Sequence, residues 1–186
     1  GQKRALRRVY AQAGYGPETL GYVEAHGTGT AVGDRAEAET IVSTLREHGA
    51  EAGRTAVGSA KTLVGHTKCA AGVVGLIKST LALHHQVLPA HFGVENPIEP
   101  FQGDDAPAYL LKQSRPWLQR SDVPRRASVS AFGFGGTNFH ATLEEYLDPA
   151  AVPGARDWPQ EVVVLSAADT AARVAKGEQL HRALED

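Results

Sequence analysis

Residues 20–25 (LGYVEA) run straight into His26-Gly27-Thr28-Gly29-Thr30, and the reading of this join governs the rest of the chain. The first six residues are β-branched and aromatic, which is the composition of a short strand, and the glycine-threonine run ends it. A strand therefore hands a histidine to a loop. Upstream, residues 2–13 (QKRALRRVYAQA) place Leu6, Val9, Tyr10 and Ala13 at helical spacing before Gly14 and Gly16-Pro17 break the pattern. Downstream, Asp34 is the expected N-cap of a helix over Arg35–His48, with an apolar stripe through Ala36, Ile41 and Leu45 and a stop at Gly49.

The same arrangement recurs further along. Thr55–Ser59 reads as a strand, Lys61–His66 as a loop, and Cys69–His85 as a long helix rich in small residues. Residues 88–125 hold six of the ten prolines and one brief strand signal, Ala108–Leu111, so an ordered surface strap is expected there. Arg126–Phe132 and Thr137–Leu143 read as two strands joined through the bend Gly133-Phe134-Gly135-Gly136. After Tyr146 the composition turns to Pro, Ala and Gly, as in a linker, which sets a boundary near residue 148. Beyond it a strand over Glu161–Leu165 and a helix over Ala168–Leu184 are expected.

Composition excludes several functional classes. Nineteen basic and 21 acidic residues are mixed along the 186-residue chain and leave a formal charge of −2, so no basic face is available for nucleic acid. A single cysteine cannot form an internal disulfide, and no stretch reaches the roughly 20 apolar residues needed to cross a bilayer. The cytoplasm is the expected compartment. There is no methionine, and the chain opens on a helix already under way, so an upstream segment is expected. The glycines at 27, 29 and 33 do not have dinucleotide-binding spacing, and no acidic residue follows at the required distance. His84 and His85 are adjacent on a helix and are expected to point to different sides, which argues against a metal site. Three loops remain as candidates for one pocket: His26, the pair Lys61 and His66, and the bend from Phe132 to Gly136. Forty positions separate the two histidines, so only the fold can bring them together.

Three stretches carry a resemblance. V-E-A-H-G-T-G-T-A-V-G-D (23–34), G-S-A-K-T-L-V-G-H-T-K-C-A-A-G (58–72) and S-A-F-G-F-G-G-T-N-F-H (130–140) resemble β-ketoacyl synthase domains, in the family's order and over roughly residues 1–146. The resemblance implies an α/β chain that supplies the C-terminal half of a thiolase-like fold, a mixed sheet with flanking helices. On this reading residues 1–148 are the C-terminal part of the synthase domain. Residues 149–186 are a linker and the start of an α/β subdomain leading to an acyltransferase domain. The implied reaction is a decarboxylative Claisen condensation between acyl and malonyl-type thioesters, with the substrates carried on the phosphopantetheine of acyl carrier protein and no cofactor bound directly. His26 and His66 match the two active-site histidines, whose task is to donate N–H bonds to the malonyl thioester oxygen as enolate charge develops. Lys61 matches the active-site lysine, and Glu37 its ion-pair partner beneath the pocket. Thr28 and Thr30 match the hydroxyls that hold the pantetheine arm. Phe132 matches the gating phenylalanine, and Gly133, Gly135 and Gly136 give its loop freedom to swing.

One departure from the family pattern is large. The nucleophilic cysteine belongs to the first half of the family's fold, and no such motif occurs in this sequence. Cys69 stands where relatives carry a small residue and reads as a buried packing residue, the rival reading being a reactive thiol near a helix N-terminus. The implied partners are acyl carrier protein, the N-terminal half of the synthase domain, the adjacent acyltransferase domain and a second copy in a homodimer. By itself such a half would expose an apolar face and self-associate. Motif details are similar to iterative synthases of the polyunsaturated-fatty-acid or enediyne sort, with modular polyketide synthases close. The alternative function is a non-catalytic ketosynthase-like protein that sets chain length or binds carrier protein.

Overall fold

Gln2–Ala13 forms helix α1, which buries Leu6 and Tyr10, one turn apart, and closes on Gly14 at φ 77°. The computed structural model describes residues 1–118, 123–133, 135–147, 163 and 165–185. The chain divides into two compact units, Gly1–Leu147 and Asp148–Asp186.

In the first unit α1 leads into β1 (Tyr22–Glu24), α2 (Ala31–Glu47), β2 (Thr55–Gly58), the single-turn α3 (Lys61–Val64) and α4 (Ala71–His85). The strap then contributes β3 (Val87–Leu88), β4 (Ala108–Leu110) and β5 (Arg115–Pro116), and the unit ends in the pair β6 (Arg126–Phe132) and β7 (Asn138–Glu144). Five strands make one mixed sheet in the order β4-β2-β1-β6-β7. The first four run parallel, and β7 returns antiparallel to β6 with Phe132 opposite Asn138. β1 and β2 are buried at every position, as expected of parallel strands covered on both faces.

One face is sealed by α1 and α2 through Leu6, Tyr10, Ile41, Val42 and Leu45, packed on Val23 and Val57. The other carries Tyr22, Ala56, Ala82, Leu83, Leu88, Trp117 and Ala127. The strap is anchored there. Trp117 donates its backbone N–H to the Gln86 carbonyl at 2.7 Å, and β3 pairs antiparallel with β5. Gly21 makes room for this, because a Cβ at that position would sit 2.6 Å from the Trp117 ring nitrogen. The buried pair Arg125–Glu145, at 2.8 Å, ties the strap's end to the sheet.

Several boundaries differ from those the sequence predicts. Helix α2 starts at Ala31 with Thr30 as its cap, so Asp34 lies inside the first turn rather than ahead of it. Residues 61–64, expected as loop, form a turn of helix that Gly65 ends at φ 73°. In the second unit α5 spans Thr170–Glu185, and the Asp169 carboxylate accepts the Ala172 N–H at 2.8 Å as a cap. The expected strand over residues 161–165 and the linker ahead of it fall largely outside the described residues. Among the described residues, no helix is long and apolar enough to cross a membrane.

Candidate active site

The sheet order explains why three distant motifs meet. β2, β1 and β6 are neighbours, with Glu24 paired to Gly58 on one side and to Val129 on the other. The chain leaves β1 into the His26 loop and β2 into the turn carrying Lys61 and His66, while β6 ends on Phe132. The carboxyl ends of adjacent parallel strands are where α/β proteins place ligands. The His26 and His66 rings meet edge to face, with centroids 5.6 Å apart and planes at 88°. Phe132 lies 6.0 Å from His26 by the same measure.

The first two turns of α2 clamp the His26 loop. Glu37 accepts the backbone N–H of His26 at 2.7 Å and of Gly27 at 2.9 Å, and Asp34 accepts those of Thr28 and Gly29 at 3.1 and 3.2 Å. Gly27 at φ 43° and Gly29 at φ 79° supply the left-handed backbone that turns these donors inward. The Thr28 and Thr30 hydroxyls lie 3.1 Å apart on the exposed rim. Glu37 is thus hydrogen-bonded to the loop backbone, and the Lys61 charge acts on it at longer range. A loop with unpaired N–H groups needs an acceptor beneath it, and Glu37 meets that need. Burial raises the Glu37 pKa, and the two backbone donors oppose the rise.

Burial lowers the His26 pKa to about 4, and the charges of Lys61 and His66 beside it push the same way. The ring is therefore neutral near pH 7. Its Nδ1 is buried without a hydrogen-bond partner among the described residues. His66 is exposed, and its Nδ1 accepts the Lys68 N–H at 3.0 Å. That bond assigns the ring proton of neutral His66 to Nε2, leaving an N–H donor for a ligand. Lys61 opens α3 half-buried, and burial lowers its pKa against the pull of Glu24, Glu37 and Asp34. At the third loop the Gly133 N–H bonds the Thr137 carbonyl at 2.8 Å, and Gly135 and Gly136 adopt φ 84° and 89°. Phe134 lies outside the described residues.

Two expectations are corrected. Cys69 is exposed rather than buried: it lies in the turn between α3 and α4, and Leu63, Val64 and Val73 of those helices are exposed as well. His84 and His85 do not diverge: their rings stack edge to face 4.8 Å apart in the last turn of α4. Sequence reasoning also passed over Glu24 and Lys78, which form an ion pair behind the site with the carboxylate buried and the ammonium half-buried. The signal was present in a charged residue inside the strand YVE and another in the apolar helix stretch GLIKS.

The fold is that of the thiolase-like ketosynthases. The ketosynthase from module 6 of the bacillaene synthase of Bacillus subtilis 168 superposes with a TM-score of 0.74 at 39% identity, over 78% of this chain and 26% of that one. Residues 1–95 match the family described as "Beta-ketoacyl synthase, C-terminal domain", and the chain belongs to that family. A polyunsaturated fatty acid synthase of Thraustochytrium sp. (strain ATCC 26185 / S-3) is 44% identical over 150 residues, 78% of this chain and 5% of its own length. Polyketide synthase PksN of Bacillus subtilis (strain 168) is 37% identical over 198 aligned positions, 99% of this chain and 4% of its own length. The chain thus spans a small part of the multidomain synthases it matches.

Proposed function

We propose that this chain supplies the enolate-stabilising half of a ketosynthase site that performs decarboxylative Claisen condensation on carrier-bound thioesters. The observation that carries the reading is the meeting of neutral His26 with His66, whose Nε2 holds the proton needed to donate. A cysteine thiolate from a segment outside this chain attacks an acyl thioester and releases the carrier thiol. Malonyl thioester then loses carbon dioxide, and the electron pair of the broken C–C bond moves into an enolate whose oxygen accepts N–H bonds from His26 and His66. The enolate carbon attacks the acyl-cysteine carbonyl, and the thiolate leaves, giving a β-ketoacyl thioester on the carrier. No oxidant or reductant is needed. Preorganised donors aimed at a developing oxyanion are worth about 3 kcal/mol each.

On this reading Thr28 and Thr30 bind the pantetheine arm and Phe132 gates its entry; the exposure of the two threonines and the 6.0 Å between the Phe132 and His26 rings support it. Burial holds the His26 pKa down, and the Lys61 charge adds to that effect. The remaining partners are the N-terminal half of the domain, acyl carrier protein, an acyltransferase domain reached through residues 149–186, and a second copy of the synthase. The cytoplasm suits carrier-bound substrates. In the complete ketosynthase, His26→Ala and His66→Ala should each lower malonyl-thioester decarboxylation about a hundredfold. Decarboxylation at the wild-type rate in both variants contradicts the reading.

A further inference from the structure

Glu24 is two residues before His26, at the end of a strand, yet the residue is 2% exposed and no step of the proposed reaction uses it. Its carboxylate accepts the Tyr22 hydroxyl at 2.6 Å, the Lys78 ammonium at 3.0 Å and the backbone N–H of Ala60. Each donor comes from a different place. Tyr22 lies on β1, Lys78 on α4, and Ala60 caps α3, whose first residue is Lys61 and which leads to His66. The Lys78 ammonium also lies 5.6 Å from the centre of the Tyr22 ring.

Two glycines make the room. A Cβ on Gly58 would fall 2.7 Å from the Tyr22 hydroxyl and 3.4 Å from the Lys78 nitrogen, and one on Gly75 would fall 3.0 Å from Glu24 Cγ and 3.1 Å from Val129 Cγ1. A strand glycine and a helix glycine each weaken their element, so their presence together at this contact marks a close approach that the cluster needs. Burial and the Glu24 charge hold the Tyr22 hydroxyl protonated, as a donor. Burying an ion pair contributes little net stability compared with an apolar replacement, whereas removing one partner leaves an uncompensated charge. Stability alone does not account for the cluster.

We propose that Glu24, Tyr22 and Lys78 are positioning residues that lock the turn bearing Lys61 and His66 to the strand bearing His26, and so set the distance between the two donors. The Ala60 bond is the mechanical link: it joins the carboxylate of the His26 strand to the first backbone N–H of the His66 turn. The inference rests on the ketosynthase reading for its catalytic consequence and on the geometry alone for its structural one.

The test has both readouts. In the complete ketosynthase, Lys78→Met strands the Glu24 carboxylate. It should speed hydrogen exchange of the amides of residues 60–66 at least tenfold, with the amides of β7 unchanged. Turnover in malonyl decarboxylation should fall at least tenfold with KM within twofold. Adding Glu24→Gln in the double variant removes the stranded charge and should recover most of both losses. Should Lys78→Met not fold, the isosteric Glu24→Gln alone carries the same two readouts. A lowered melting temperature with exchange at residues 60–66 and turnover both unchanged overturns the proposal, as does a double variant whose losses are the sum of the singles. A wild-type enzyme without decarboxylation would remove the ketosynthase reading, while the exchange measurement would still decide the lock.

Discussion

On one face of the sheet α1 and α2 bury Leu6, Tyr10, Ile41, Val42 and Leu45, whereas on the other α4 buries Gly75, Ser79, Ala82 and Leu83 and turns Val73, Leu76, Ile77 and Leu81 outward. Leu63 and Val64 of α3 extend the outward row, at 56% and 59% exposure. An amphipathic helix needs one apolar stripe, and α4 has apolar residues on two. The helix that stands behind His66 is thus built to be covered twice, and the described residues of the first unit cover it once. On the proposed function, this outward apolar row is where the rest of the synthase domain packs.

The largest effect should come from the sealed face. Leu45→Ala, at 2% exposure, should cost about 2–5 kcal/mol in denaturant unfolding of this chain, while Ile77→Ala should change it by less than about 0.5 kcal/mol. In the complete ketosynthase the Ile77→Ala cost should rise to at least about 2 kcal/mol. An unchanged small cost there would show that nothing packs on α4.

Acid should act through the sealed side as well. His140 is held between the Tyr10 hydroxyl on Nε2 and the Ser130 hydroxyl on Nδ1, both at 3.0 Å, and burial lowers its pKa to about 4. The unfolded chain binds this proton near pH 6.5, so the contribution of the neutral ring is complete above that value and is lost as pH falls toward 4. The loss is on the order of 3 kcal/mol, and His140→Gln should flatten the slope of urea midpoints measured between pH 7 and 4.5. His26 adds a smaller term of the same sign, reduced by its exposure to solvent.

At the inner side of α4, Gly75→Ala should cost about 1–3 kcal/mol, because its Cβ meets Glu24 and Val129. The smallest effect belongs to the surface of α2, where the exposed pair Arg35–Glu39 should be replaceable by alanine without a measurable shift in melting temperature.

How much of this was legible depended on the length of each signal. α1, β1 and β6 could be read because their apolar spacing or β-branched composition is continuous. The start of α2 was missed because G-T-A-V-G-D reads as loop, with Gly33 inside the first turn. α3, four residues long, and the two-residue strands β3 and β5 carry no period at all and exist through tertiary contacts. The meeting of His26 and His66 was legible only through the resemblance to a family, since it depends on β1 and β2 being neighbours. The exposure of Cys69 was not legible, because burial is a property of what packs against a residue. The two backbone donors that Glu37 accepts were not legible, since they depend on how the His26 loop folds over α2.

The central claim is that this chain provides the enolate donors while the nucleophile lies elsewhere in the ketosynthase, and intact-mass analysis with peptide mapping tests it most directly. After incubation of the complete ketosynthase with an acyl-carrier thioester, the account predicts an acyl adduct on a cysteine outside this chain and none on Cys69. An adduct on Cys69, with no other cysteine modified, would contradict it.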